Sequence, residues 1–401
     1  MLDVKVIRQN FPIYEHNKDL VYLDTGASSL KPKAVIDQVD HYYSNLGVNV
    51  HRGVYGLSYE ATDLYEEART TVAKFINANF DEVVFTRGTT ASLNMVAQSY
   101  LSVLKEGDEI ITSELEHHSS MLPWLNVSKK TNAKLNYVKL NDEGRITVEA
   151  FKDVLTTNTK VVALTYVSNV MGYITPIEEI IKLAHEVGAV VIVDAAQAAP
   201  HMPINVKSLD CDYLAFSGHK ILGPTGIGVL YGKKHLLDQM EPSEYGGDMV
   251  DFVVKDNAKW KDTPYKFEAG TPIISGAIGL SSAIKYLMSI GFEAIEAHTK
   301  ELHRYTLEKL KDIKGIEVYN SKSDTGIITF NIIGVHPHDA ASIFDKNKVC
   351  IRAGHHCAQL ITKWLGQIAT LRATLYIYND YEDCDRFIDS VKETIDFFNQ
   401  F

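Results

Sequence analysis

From residue 81 onward, short apolar runs alternate with helix-length stretches, and this rhythm restricts the chain to few folds. Residues 83–86 precede a helical pattern over 89–104, residues 109–112 precede one over 119–128, and residues 160–167 precede one over 177–187. A further run at 189–194 leads toward another at 213–216. Runs rich in Val and Ile, without a polar face, mark strands covered on both sides. Strand, helix, strand in repetition then requires a mostly parallel sheet between helices. Residues 226–231 predict one more strand. Beyond Gly276 the pattern changes. A helical stretch is expected over 277–310, strands at 316–319, 326–332, 350–352 and 371–376, and helices at 339–345 and 382–398. This describes a second, smaller α+β domain, and 401 residues suffice for two cores.

Open α/β sheets bind ligands just past the carboxyl ends of their strands. Two runs end there in chemistry: Val191-Ile192-Val193 leads into Asp194-Ala195-Ala196-Gln197, and Tyr213 to Phe216 lead into Ser217-Gly218-His219-Lys220. A lysine and a carboxylate at one sheet edge suit pyridoxal phosphate (PLP). The lysine forms a Schiff base, and the carboxylate keeps the pyridine nitrogen protonated so that the ring accepts electrons. Separately, Asp194 reads as a helix N-cap and Lys220 as a solvated side chain; the pairing favours the cofactor.

Thr86-Arg87-Gly88-Thr89-Thr90 occupies a strand-to-helix junction, where backbone amides and hydroxyls around Thr89 form a phosphate cradle or a simple cap. In Glu116-His117-His118-Ser119 an imidazole can lie flat against a planar ring; a metal pair is the weakest reading, because adjacent side chains diverge. Asn169, in Ser168-Asn169-Val170-Met171-Gly172, offers an amide to a ring oxygen or a substrate carboxylate, with a structural turn as the alternative. His219 and Gln197 are further candidate cofactor contacts.

In the second domain, Arg352-Ala353-Gly354-His355-His356-Cys357 sets a thiol among basic residues, which favour the nucleophilic thiolate. Cys350 lies in an apolar run, and Cys211 and Cys384 adjoin aspartates. No second His/Cys pair has zinc-ligand spacing, so no metal is expected. The loop belongs to the second domain and is expected to lie away from the Lys220 and Asp194 strands. Arg372, on a mostly apolar strand, needs a partner: a substrate carboxylate, matched bidentately, or an internal salt bridge. Four scattered cysteines give no disulfide framework and suggest a reducing, cytoplasmic setting. A net charge of −11 gives no reason to bind nucleic acid or an anionic membrane, and no apolar stretch is long enough to span one.

The set DAAQ, SGHK-x-x-GPTGIG, FTRGTT, EHHS, FEAGTP and RAGHHC resembles the class V aminotransferase superfamily of fold-type I PLP enzymes. Within it the chain resembles the Suf-type (group II) cysteine desulfurases and their selenocysteine lyase kin. The resemblance runs almost end to end. It implies a large domain with a mostly parallel seven-stranded sheet over residues 21–285, a small α+β domain over 286–401, and an N-terminal segment, 1–20, packing with the latter. By the same resemblance Lys220 is the Schiff-base lysine that also moves the substrate α-proton, Asp194 the pyridine-nitrogen partner and His117 the stacking histidine. Gln197 and Asn169 surround the phenolic oxygen and substrate, while Thr89, Ser217 and His219 meet the phosphate. Thr271 is implied to reach the other subunit's phosphate in a homodimer, Arg372 to clamp the substrate carboxylate, and Cys357 to accept sulfur as a persulfide. His51, with Arg52 and Gly53, resembles an entrance loop, and Arg352 is a further substrate-side candidate.

The implied reaction is L-cysteine to L-alanine, with sulfur passed to a SufE- or SufU-like acceptor for iron–sulfur cluster assembly. L-selenocysteine cleavage is the alternative, and transamination a more distant one. Gln359-Leu360-Ile361 lacks the proline expected soon after the cysteine, Thr175 replaces a common asparagine, and Ile273-Ile274 replaces a polar residue. None of these removes a group the chemistry needs.

Overall fold

The structure is a computed structural model that describes residues 1–400. Its centre is a seven-stranded sheet in the spatial order Val83–Thr86, Gly228–Gly232, Tyr213–Ser217, Val190–Asp194, Thr159–Thr165, Glu109–Ser113, Lys134–Val138. Gly228–Gly232 runs antiparallel to both neighbours and every other pairing is parallel, as the alternating rhythm requires. The apolar runs feed two cores by simple alternation. Val162, Leu164, Val191, Val193, Leu214 and Phe216 face one, while Val161, Ala163, Ile192, Tyr213 and Ala215 face the other. The edge strand Lys134–Val138 escapes the sequence pattern because Lys134 and Asn136 interrupt any apolar run; a half-exposed edge tolerates them.

Several further elements lie outside the sequence reading. The helix Gly56–Ile76 precedes the region where the rhythm begins, and it packs along Ile274–Ile290. The hairpin of Val250–Val254 and Asn257–Trp260 carries exposed Phe252, Val253 and Val254. The single helical stretch expected over 277–310 is two helices, Ile274–Ile290 and Phe292–Leu310, bent by 73° at Gly291. Gly291 adopts φ +86°, a conformation glycine takes without steric cost. Among the described residues no single helix is long and apolar enough to cross a membrane.

A four-stranded antiparallel sheet, Ile316–Val318, Ile327–Ile332, Thr370–Thr374 and Arg352–Gly354, forms the second unit. Leu302, Phe330, Phe344, Leu371 and Phe387 fill its core. The strand expected at 350–352 is divided: Arg352–Gly354 joins this sheet, whereas Val349–Cys350 pairs in parallel with Val21–Tyr22. Val21 and Leu23 consequently pack in the small unit's core, so the expected boundary at residue 21 assigns this strand to the wrong side. The boundary at 285 falls inside the continuous helix Ile274–Ile290. Upstream, Arg8 donates to the Tyr378 carbonyl at 2.8 Å and to Asp383 at 2.5 Å, and Phe11 packs edge-on against Tyr286 and Tyr378.

Candidate active site

Strand register delivers the central residues to one edge. Thr165 lies opposite Asp194, Asp194 opposite Ala215, and Gly228 opposite both Ser217 and Thr86. The carboxyl ends of five parallel strands therefore meet around a cavity of about 220 Å³. Thr89, His117, Asn169, Asp194, Ser217, His219 and Lys220 line it, together with Arg352, Cys357 and Arg372 from the small unit.

Asp194 is almost fully buried and accepts the Ala196 N–H at 2.9 Å. Burial raises its pKa, and the Lys220 charge opposes that rise. The Lys220 amine, on the turn Gly218–Lys220, is pushed down to about 8 by burial, against the pull of Asp194. Each group thus carries a desolvation cost that a partner of suitable charge relieves. The loop before Lys220 is tied down through the His219 carbonyl, which accepts from Ser29 N and Ser29 Oγ, both at 2.9 Å, and from Lys31 Nζ at 3.1 Å. The sequence carried no signal for Ser29 and Lys31, which sit far upstream and act only through the folded backbone.

His117 is the N-cap of the helix His118–Thr131, and its Nδ1 accepts the Ser119 N–H at 3.1 Å, leaving the ring proton on Nε2. Burial, then Lys220, pushes its pKa down to about 3, so the imidazole stays neutral. Glu116 anchors this loop to the sheet. It is buried and accepts from Ser113 Oγ at 2.7 Å and from Thr165 N at 3.0 Å, with burial raising its pKa to about 7.

At the other junction Gly88 takes φ +145°, and a Cβ on Gly228 would stand 2.4 Å from Gly88 Cα. Only glycines permit this approach. Thr89 N and Oγ1 then lie 2.8 and 2.7 Å from Ser217 Oγ, so a helix N-terminus and two hydroxyls converge. Gln197 does not line the cavity. It donates to the Gly26 carbonyl at 2.7 Å and so fixes a glycine that does.

Arg372 has the internal partners of one reading and keeps a free N–H for the other. It is buried, lies 3.5 Å from Asp24 and donates to the Asn169 carbonyl at 2.7 Å, yet its Nε has no hydrogen-bond partner. Burial lowers its pKa to about 10. Arg352 reaches the other Asp24 oxygen at 3.2 Å. Asn169 Nδ2 donates to the His356 carbonyl at 2.8 Å.

Cys357 overturns one expectation. Its loop lies over the Lys220 and Asp194 strand ends instead of away from them, because the small unit docks its sheet edge onto the cavity. Cys357 is the one exposed cysteine, while burial raises the pKa of Cys211, Cys350 and Cys384. His51 and Thr271 are not brought in. His51 Nε2 lies 2.7 Å from Glu66, with its ring edge-on to Tyr65 and Tyr265. Thr271 is exposed on a separate cavity of about 420 Å³ shared with Arg87 and Glu268. Glu268 accepts from Phe85 N and buried Arg69, which binds this segment to the outermost strand.

A buried acid, a desolvated amine, a neutral imidazole, a hydroxyl-rich helix N-terminus and an arginine with an unmet N–H all face one cavity. The donor set fits PLP and an amino-acid carboxylate. The aminotransferase class-V family model matches residues 21–387. A probable cysteine desulfurase of Staphylococcus epidermidis is 50% identical over 99% of this chain and 98% of its own length. One from Halalkalibacterium halodurans is 49% identical over 98% of each chain. The crystal structure of an Escherichia coli cysteine desulfurase superposes with a TM-score of 0.93 at 38% identity, covering 99% of both chains. An apo cysteine desulfurase from Thermococcus onnurineus gives 0.94 at 42% identity, again over 99% of both. With its strand-end lysine and aspartate at one cavity, and with likeness along its whole length, the chain belongs to the aminotransferase class-V family.

Proposed function

We propose that this protein is a PLP-dependent cysteine desulfurase of the Suf type, converting L-cysteine to L-alanine and retaining the sulfur as a persulfide on Cys357. One observation carries the reading: the only exposed cysteine faces the same cavity as Lys220 and Asp194. Lys220 would hold the cofactor, with Asp194 against its ring nitrogen, His117 on its ring face, and Thr89, Ser217 and His219 at its phosphate. When bound, the cofactor supplies an electron sink for the substrate α-carbon.

The protein's own groups do the rest. Arg372 and Asn169 bind and orient the substrate carboxylate, and Arg352 adds positive charge. The Lys220 amine, with its pKa near 8, accepts and returns a proton close to neutral pH. The Cys357 thiolate attacks the substrate sulfur. An S–S bond forms, the Cβ–S bond breaks, and the bonding pair stays with the three-carbon fragment that is protonated to alanine.

The exposure of Cys357 suits delivery of the persulfide to an accessory acceptor, SufE- or SufU-like, for iron–sulfur cluster assembly. A homodimer accommodates Thr271. An opening lined by Thr89, Ser217, His219, Arg87 and Asn94 leads from the Lys220 cavity toward the Thr271 cavity, and the exposed Phe252–Val254 edge offers apolar contact. Incubation of the cofactor-loaded protein with L-cysteine and a reductant should release alanine and sulfide in equal amounts. Keto-acid-dependent amino transfer without sulfide would overturn the proposal, and turnover of selenocysteine alone would replace it with the lyase reading.

A further inference from the structure

His118 has no part in the chemistry above, although it stands beside His117. Its ring is not among the groups that line the cavity, and it clasps the loop that carries the nucleophile. The backbone N–H of His118 donates to the Cys357 carbonyl at 2.7 Å, and its Nε2 accepts the Gln359 N–H at 3.2 Å. The two bonds grip the loop on either side of Ala358.

That loop needs holding. His356 and Cys357 are consecutive non-glycine residues at φ +52° and +54°, just after Gly354 at +127°. Left-handed backbone at two such residues persists only where its surroundings over-determine it. The other ties, Asn169 Nδ2 to the His356 carbonyl at 2.8 Å and His356 Nε2 to Thr370 Oγ1 at 2.9 Å, restrain the residue before the cysteine. From the cysteine onward the Ala358 N–H closes back on the His355 carbonyl at 2.8 Å, and the hydrogen bonds that tie this stretch to the larger unit are the two to His118.

We infer that His118 is a positioning residue that holds Cys357 at the substrate sulfur by accepting the Gln359 N–H, so that one His-His dipeptide serves the ring face with its first imidazole and the nucleophile with its second. Because Nε2 accepts, the ring proton sits on Nδ1. Burial and the nearby His355 hold the pKa of His118 below its usual value, which preserves the acceptor at neutral pH. The inference rests on the desulfurase reading for its kinetic consequence, whereas the clasp itself is independent of that reading.

The test uses the cofactor-loaded protein and two variants that break the same bond from opposite sides. His118→Ala removes the acceptor. Gln359→Pro removes the donor, at the first residue of the helix Gln359–Trp364, where proline is well tolerated. Both should lower the maximal rate of alanine release from L-cysteine by roughly five- to tenfold, the loss of one hydrogen bond's positioning. The KM for cysteine and the cofactor absorbance should stay unchanged. Amide exchange at Gln359 should speed up in His118→Ala, and His118→Gln, which keeps an acceptor, should recover part of the rate. Unchanged turnover and exchange in His118→Ala would overturn the inference. So would loss of cofactor or folding in parallel with activity, which marks a merely structural residue. If the wild-type protein releases no alanine, the desulfurase reading fails while Gln359 exchange still decides the clasp.

Discussion

The two halves of the site are built on different principles. Asp194, Ser217, Asn169 and His117 extend from adjacent strands whose register is fixed on both faces by apolar packing. A one-residue slip would turn every side chain to the wrong core. Cys357 sits on a loop of left-handed residues at the edge of a small sheet, held by a few hydrogen bonds to the other unit. The sheet side supplies fixed charge and shape, and the loop side supplies one exposed thiol, which the proposed reaction would use as its sulfur acceptor. The sheet half is held by packing on both faces, and the loop half by a small number of hydrogen bonds.

The widest separation of the two halves comes from a pair of variants. Lys220→Ala should abolish turnover, a loss on the order of 10²–10⁴-fold or more for removal of a proton-transferring group, and should end borohydride-dependent covalent retention of the cofactor. Cys357→Ala should lose alanine formation from cysteine comparably, yet keep the cofactor absorbance of the parent. Loss of cofactor from Cys357→Ala would show that the loop is part of the cofactor's seat and would erase the distinction.

Arg372 lies on the seam, and its effect should be intermediate. Arg372→Ala should weaken cysteine binding by roughly 1.5–3 kcal/mol, about ten- to a hundredfold, with cofactor retained. Unchanged cysteine affinity with a lowered melting temperature would assign Arg372 to Asp24 and Asn169 alone.

How far these halves were legible differs for the same physical reason. Asp194 and Lys220 follow uninterrupted apolar runs, so sequence alone places them at strand ends on one edge. The cysteine loop announces its chemistry through Arg352, His355 and His356, but its position depends on how two units dock, which no local pattern encodes. Val21–Tyr22 joining Val349–Cys350 is a long-range pairing of the same kind. Lys134–Val138 was missed because an edge strand needs no apolar run, and Ser29 and Lys31 because they act on a carbonyl 188 to 190 residues away. His51, bonded to Glu66, and Thr271, exposed three residues after the Glu268 that holds the outer strand, lie outside the cavity of a single chain.

A smaller effect should appear in pH-dependent stability. His117 and His356 are held neutral, at about 3 and about 2, against an ordinary 6.5. The unfolded chain protonates them first, so their contribution is complete above pH 6.5 and is lost as pH falls toward the folded values. Glu116, raised from 4.5 to about 7, has the opposite sign: its contribution is complete below 4.5 and lost as pH rises through 7. In thermal melts, His117→Asn should therefore lose less stability than the parent on going from pH 7 to pH 5. Parallel curves would mean that the imidazole is not desolvated as the structure places it.

The most direct measurement is mass spectrometry of the cofactor-loaded protein after mixing with L-cysteine in the absence of reductant. The account predicts one added sulfur on Cys357, alanine formed in matching amount, and release of that sulfur on adding a thiol. Sulfur found on Cys211, Cys350 or Cys384 with Cys357 unmodified would contradict it.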